Sequence, residues 1–136
     1  MLKVLLDTNV YVSAILFGGK PKLILEDLIS GKVIGYISDS IVQEIEEVFR
    51  RPKFKLSEEL ISSILSEIIA ITERIAIVPL KEQLSIRDRN DYHIIESALS
   101  AEADYLITGD QDLLVLGNIK SLRIISPEQY LTNVFD

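Results

Sequence analysis

Tyr105-Leu106-Ile107-Thr108-Gly109-Asp110 is a short apolar run that breaks at a turn and leaves a carboxylate just past its end. Apolar residues with no polar alternation, bounded by Thr-Gly, read as a strand buried on both faces. The start of the chain has the same form: residues 2–6 make a strand-like run that stops abruptly at Asp7. In a parallel sheet, two such strands present their carboxyl ends, and with them both acids, to one edge.

The flanking sequence supplies the rest of that sheet. Residues 10–17 have the pattern of a helix capped by Asn9, and residues 20–30 that of a second helix stopped by Gly31. Residues 33–37 read as a strand. Ser40 and Gln43 then have capping-box spacing for a helix to about Phe49, which Pro52 closes. Within residues 56–72, Leu60, Ile61, Ile64, Leu65, Ile68 and Ile69 recur at helical spacing, and residues 74–78 read as a strand ended by Pro79. A helix over 91–102, the strand at 105–107, a last strand over 122–125 and a short helix opened by Ser126-Pro127 complete the pattern. Alternation of strands and helices predicts an α/β fold, a three-layer α/β/α sandwich with a mostly parallel central sheet. No repeat, low-complexity tract or linker interrupts it, so residues 1–136 read as a single domain. In such sheets ligands collect beyond the carboxyl ends of the strands.

Composition narrows the chemistry. Of 136 residues 48% are apolar, enough for one core and too few residues for two. The absence of cysteine removes disulfides, thiolate zinc sites and cysteine nucleophiles, and favours a cytoplasmic protein. The uncharged stretch from Thr8 to Gly19 is too short to span a bilayer, so no membrane role is expected. With 14 Lys and Arg against 21 Asp and Glu, the net charge of −7 argues against broad attraction to a polyanion and leaves local contacts open. His93 is the one histidine, so catalysis here rests on carboxylates.

Four acids fall where a solvated face would not put them. Asp7 and Asp110 follow the two apolar runs. Glu44 lies three after Ile41 and four before Val48, inside the apolar stripe of its helix, and Asp91 leads the series Ile94, Ile95, Ala98. Each has a plain alternative: Asp7 and Asp110 as helix caps, Glu44 as the partner of an Arg, Asp91 as a first-turn acid. Together, however, they suit one acidic cup, whose charges repel unless a cation neutralises them. All-oxygen ligation favours Mg²⁺ or Mn²⁺ over zinc. Taking Asp7, Glu44, Asp91, Asp110 and Asp112 from the 21 acids leaves 16 against 14 bases, so most of the negative charge belongs to this one place.

The same residues carry a resemblance. Val4-Leu5-Leu6-Asp7-Thr8-Asn9-Val10 resembles the opening of PIN domains, and Ser40-Ile41-Val42-Gln43-Glu44-Ile45 their second motif. Arg87-Asp88-Arg89-Asn90-Asp91 with Ile94, Ile95 and Ala98, then residues 103–114, resemble the third and fourth. Small prokaryotic PIN proteins described as toxin components of toxin-antitoxin systems, such as the VapC ribonucleases, are the nearest type. The resemblance implies a metal-dependent ribonuclease with acids at Asp7, Glu44, Asp91 and Asp110. Asp112 would be a further metal ligand, and Thr8, Asn9 and Thr108 would orient acids or water. It also implies Mg²⁺ or Mn²⁺ as cofactor, RNA as substrate, a cognate antitoxin and a homodimer. Attack of a metal-activated water on the phosphodiester is the expected reaction. One departure stands out, because relatives often read Asp-Pro-Asp-Asp where this chain has Asp88-Arg89-Asn90-Asp91.

An acidic protein must still hold RNA. Arg50, Arg51, Lys53 and Lys55 are the first candidates, with Arg87, Arg89, Lys20 and Lys22 behind them; the plain reading of the first cluster is a solvated loop. His93, two residues past Asp91 and so on another helix face, reads as packing or surface. Gly18-Gly19-Lys20 lacks the spacing of a phosphate loop and reads as a turn. A phosphoryl-accepting receiver domain needs an acid after its third strand, where this chain has Ile77-Val78-Pro79. An Asp-x-Asp phosphatase fails at Asn9. The competing function is a non-catalytic PIN-like module, for which the stripe over residues 60–71 would meet an antitoxin or a second copy.

Overall fold

The computed structural model describes residues 1–80 and 91–134. The chain runs β1 (Lys3–Leu6), α1 (Thr8–Leu16), α2 (Gly19–Ile29), β2 (Ile34–Ile37), α3 (Asp39–Phe49), α4 (Glu58–Ala70), β3 (Thr72–Arg74), α5 (Tyr92–Ser100), β4 (Tyr105–Ile107), α6 (Gln111–Leu114), β5 (Asn118–Ile119), β6 (Leu122–Ile125) and α7 (Pro127–Asn133). A 3-10 turn, Pro52–Phe54, joins α3 to α4. The strands form one sheet in the order β3-β2-β1-β4-β6-β5, parallel except for the β5–β6 pair. The architecture is the expected α/β sandwich.

β1 lies inside the sheet, with Leu5 opposite Tyr36 of β2 on one side and Leu106 of β4 on the other. Such a position needs side chains that tolerate cover on both faces, and Val4, Leu5, Leu6, Leu106 and Ile107 are all buried. From β1 the chain steps outward to β2 and β3, then returns across the sheet to lay β4 against the other side of β1. That reversal opens a crevice beyond the carboxyl ends of β1 and β4. Ile41, Ile45 and Phe49 form the buried stripe of α3 and bring its exposed edge to the same end of the sheet.

Several boundaries differ from the sequence expectation. α1 starts at Thr8 with Asp7 as its cap, two residues before the expected start, because the Asp7 carboxylate accepts the Thr8 N–H. The cap of α3 is Ser38, whose Oγ accepts from Ile41 N, rather than Ser40 with Gln43. The third strand is Thr72–Arg74 and not 74–78. β2 ends at Ile37, so beyond Arg74 the pairing with β2 stops at the Ile75 N–H, bonded to Ile37 O at 2.9 Å, and the Val78 and Leu80 N–H groups turn to side chains of α5, Ser100 Oγ and Glu96 Oε2. β5, two residues long, is too short to leave a period in the sequence. On α4 the apolar stripe divides: Ile61 and Ile68 are buried, whereas Leu60 and Ile69 are exposed.

Candidate active site

Asp7 sits at the junction of β1 and α1, 5% exposed. Its Oδ1 accepts the Thr8 N–H at 2.7 Å, and its Oδ2 accepts Asn9 Nδ2 at 3.1 Å and the Thr108 hydroxyl at 2.7 Å. Capping and site formation are therefore one arrangement at this residue. Burial holds its carboxyl above the ordinary carboxylate value; the Thr108 and Thr8 hydrogen bonds work against this, and the charges of Glu44 and Asp110 add to it.

Thr108, wholly buried after β4, ties the two strand ends together. While donating to Asp7 it accepts the Asp110 N–H at 3.0 Å. Asp110 in turn caps α6, its Oδ1 accepting Asp112 N at 2.9 Å. Asn9 Oδ1 completes the bridge by accepting Gly109 N at 3.3 Å. An open cleft of about 650 Å³ beside these groups is lined by Asp7, Thr8, Asn9, Glu44, Asp91 and Asp110. All four acids singled out by position meet there, from four different elements or their ends. Asp112 does not line this cleft, and what it contributes to it is the backbone N–H that anchors Asp110.

The basic candidates separate. Arg51 lines the cleft with Phe54 and Val48. Arg50, next to it, is committed elsewhere, its Nη2 pairing with Glu46 at 2.9 Å and Glu58 at 3.0 Å, which staples α3 to α4. Lys53 lies over the Phe54 ring, and Lys55 takes the left-handed backbone that ends the 3-10 turn. Lys20 pairs with Glu128 on the surface. Arg87 and Arg89 lie outside the described residues.

Sequence reasoning missed Phe54 and Glu47 in the cleft lining, and His93 behind it. Phe54 follows Pro52 in a short turn that carries no periodicity. His93, expected to be packing or surface, contacts Glu44, with Nε2 at 3.1 Å from Oε2. Helical spacing correctly separates it from Asp91 but says nothing of α3, and only the fold sets it against Glu44.

Residues 3–112 match the family model described as PIN domain. The chain belongs to the PIN domain family. PIN domains are generally nucleases that use divalent metals. The chain is 34% identical over 142 residues, 96% of its own length and 90% of the relative's, to an uncharacterized protein, MJ1680, of Methanocaldococcus jannaschii. In fold it is similar to a chain of the crystal structure of VapBC2 from Rickettsia felis bound to a DNA fragment from their promoter, with TM-score 0.67 and 20% identity. That match covers 92% of this chain and 98% of the other.

The residues of this PIN domain fit a hard divalent cation held partly through water. Their donors are carboxylate oxygens, with the charges of Glu44 and Asp110 acting against that of Asp7, and among the described residues Thr8 Oγ1, buried at the cleft, has no protein hydrogen-bond partner. Asp7 Oδ1 makes one protein hydrogen bond and keeps a lone pair for a further partner. Among the described residues no three His, Asp or Glu groups are close enough to hold an ion directly. A hard divalent cation that keeps several of its waters needs only one or two carboxylates.

Proposed function

We propose that this protein is a Mg²⁺- or Mn²⁺-dependent endoribonuclease, the toxin component of a toxin-antitoxin pair. The observation that carries the reading is the meeting of Asp7, Glu44, Asp91 and Asp110 around one open cleft at the reversal point of the sheet. Asp7 and Asp110, fixed by Thr108 and by the helices they cap, are the metal ligands, with Asp91 next to them. Glu44 acts as a ligand through water or as the base that takes the proton of the attacking water. Thr8 and Asn9 orient that water and the Asp7 carboxylate. Bound there, the cation lowers the pKa of a coordinated water and offsets charge on the phosphate. Arg51 meets a backbone phosphate, Phe54 beside it offers a ring on which a base can stack, Lys53 and Lys55 follow in the same turn, and Arg87 and Arg89, outside the described residues, are the remaining RNA-binding residues. The setting is cytoplasmic, and Asp112, a weaker metal ligand, also anchors Asp110 through its backbone N–H.

The partners are the RNA, a cognate antitoxin and a second copy of the chain. The exposed Ile29 and the apolar groove between α2 and α4 that it lines with Ile64, Ile68 and Ile71 support a protein partner. That surface also favours the second reading, a binding module without catalysis. Cleavage of a mixed pool of structured RNAs separates the two: with Mn²⁺ or Mg²⁺ the wild type cuts, and with EDTA, or as Asp7→Asn, it does not. A folded, metal-loaded wild type that leaves every RNA intact would mean either a narrow RNA target or a binding module.

A further inference from the structure

Glu44 has a neighbour that a solvated glutamate does not need. His93 Nε2 lies 3.1 Å from Glu44 Oε2, and on the other side of the ring Nδ1 lies 2.8 Å from Ser40 Oγ. From Ser40 the contacts run on, to Ser38 Oγ at 3.1 Å and from there to Ser97 Oγ at 2.8 Å. Ser38 and Ser97 are buried, at 1% and 0% exposure, where an unsatisfied hydroxyl is costly.

The direction of this chain follows from counting protons. Ser97 Oγ bonds His93 O at 2.6 Å, and a carbonyl only accepts, so the Ser97 proton is spent there. Ser38 must then donate to Ser97, while it accepts the Ile41 N–H. Ser40 must donate to Ser38. No hydroxyl proton is left for the ring, so Nδ1–H donates to Ser40 Oγ. The tautomer of a histidine is set by the bond its other nitrogen makes, and here three serines on α5, on α3 and at the α3 cap set it. A bare ring nitrogen and a carboxylate oxygen both only accept, so the contact between Nε2 and Oε2 needs a proton on one of the two atoms.

We propose that His93 is the positioning residue for Glu44. Clamped through Nδ1 by the buried serines, it holds Oε2 and leaves Oε1 as the oxygen that serves the cleft. Glu44 is only half-buried, and without the clamp its flexible side chain would sample several rotamers over an exposed helix face. The inference rests on the reading of the cleft as a metal site and deepens it: α3 and α5 are locked together where each brings an acid to the cleft.

The experiment uses the fact that His93 is the chain's single histidine, so its ring gives one set of nitrogen signals. Long-range ¹H–¹⁵N correlation on the metal-free protein should show a protonated Nδ1, and that proton should exchange faster in Ser40→Ala. A bare Nδ1, or a signal indifferent to Ser40→Ala, overturns the clamp. Mn²⁺ affinity, read by electron paramagnetic resonance, should then weaken about 10-fold or more in His93→Leu, as for other residues that orient a ligand. His93→Gln, whose amide nitrogen can take the place of Nε2, should recover most of it. Equal affinity in wild type and His93→Leu, with both folded, overturns the positioning role, as does failure of the Gln variant to differ from Leu. A wild type that binds no Mn²⁺ would instead strike the metal-site reading itself, and the metal-free spectrum still decides the clamp.

Discussion

Asp7 is buried, hydrogen-bonded and flanked by other acids, and the balance leaves its native carboxyl above the ordinary value of 3.8. The native state thus holds the Asp7 proton more tightly than the unfolded chain does. Its contribution to stability is full below the ordinary value and is lost as pH rises through the raised native one. At neutral pH, ionised Asp7 therefore works against the fold. Asp7→Asn should abolish RNA cleavage and raise Tm at pH 7, with the gain shrinking as pH falls towards 4. Thermal melts of both proteins across that range check the sign, and an Asn variant less stable than wild type at pH 7 would refute the burial argument. From sequence alone Asp7 was legible as an acid at a strand end, and the choice between cap and ligand looked like an alternative. In the structure the two roles do not compete, because the same carboxylate accepts the first helical N–H and lines the cleft. His93 was not legible, since its partners sit on α3, about 50 residues earlier in the chain.

At the scale of elements, α2 approaches β2 so closely that Gly35 leaves no room for a side chain. A Cβ there would run into Leu28 Cδ2 and sit 2.8 Å from its Cγ. Gly35→Ala should cost about 1–3 kcal/mol, the usual range for overpacking, measured by urea unfolding. The link from α3 to α4 carries a second prediction, because Arg50 and Arg51 are adjacent in sequence and opposite in use. Arg51→Ala should weaken RNA binding and reduce the slope of log affinity against log salt by about 0.7, the value for one phosphate on a single strand. Arg50→Ala should leave that slope unchanged, because its guanidinium faces Glu46 and Glu58. Equal effects of the two would mean that the cleft is not the RNA track. Spacing placed the long elements well, since α3 and β4 bury the residues their periods demand. It failed where pairing depends on a neighbour's length, as at β3, which stops because β2 does.

For the molecule as a whole, a net charge of −7 is uneven, and five of its acids, the four singled out by position and Glu47, line one cleft. A divalent cation that binds them favours the folded chain by mass action, since the unfolded chain scatters the ligands. Mg²⁺ or Mn²⁺ should raise Tm in wild type, EDTA should reverse the gain, and Asp7→Asn should respond little. A cation-induced rise of equal size in the Asn variant would place the ion elsewhere. The sheet that gathers these acids also sets when they meet. Asp7 and Thr108 are 101 residues apart, and the bond between them exists only once β4 has docked beside β1. During synthesis, a chain that has emerged only through α4 has the β1 strand but no Thr108, no Asp110 and no second wall to its cleft. Parallel pairing over so long a loop is intrinsically slow. A PIN domain built this way cannot gather its acids until β4 is made, because the pairing of β4 with β1 is also what brings Thr108 and Asp110 to Asp7.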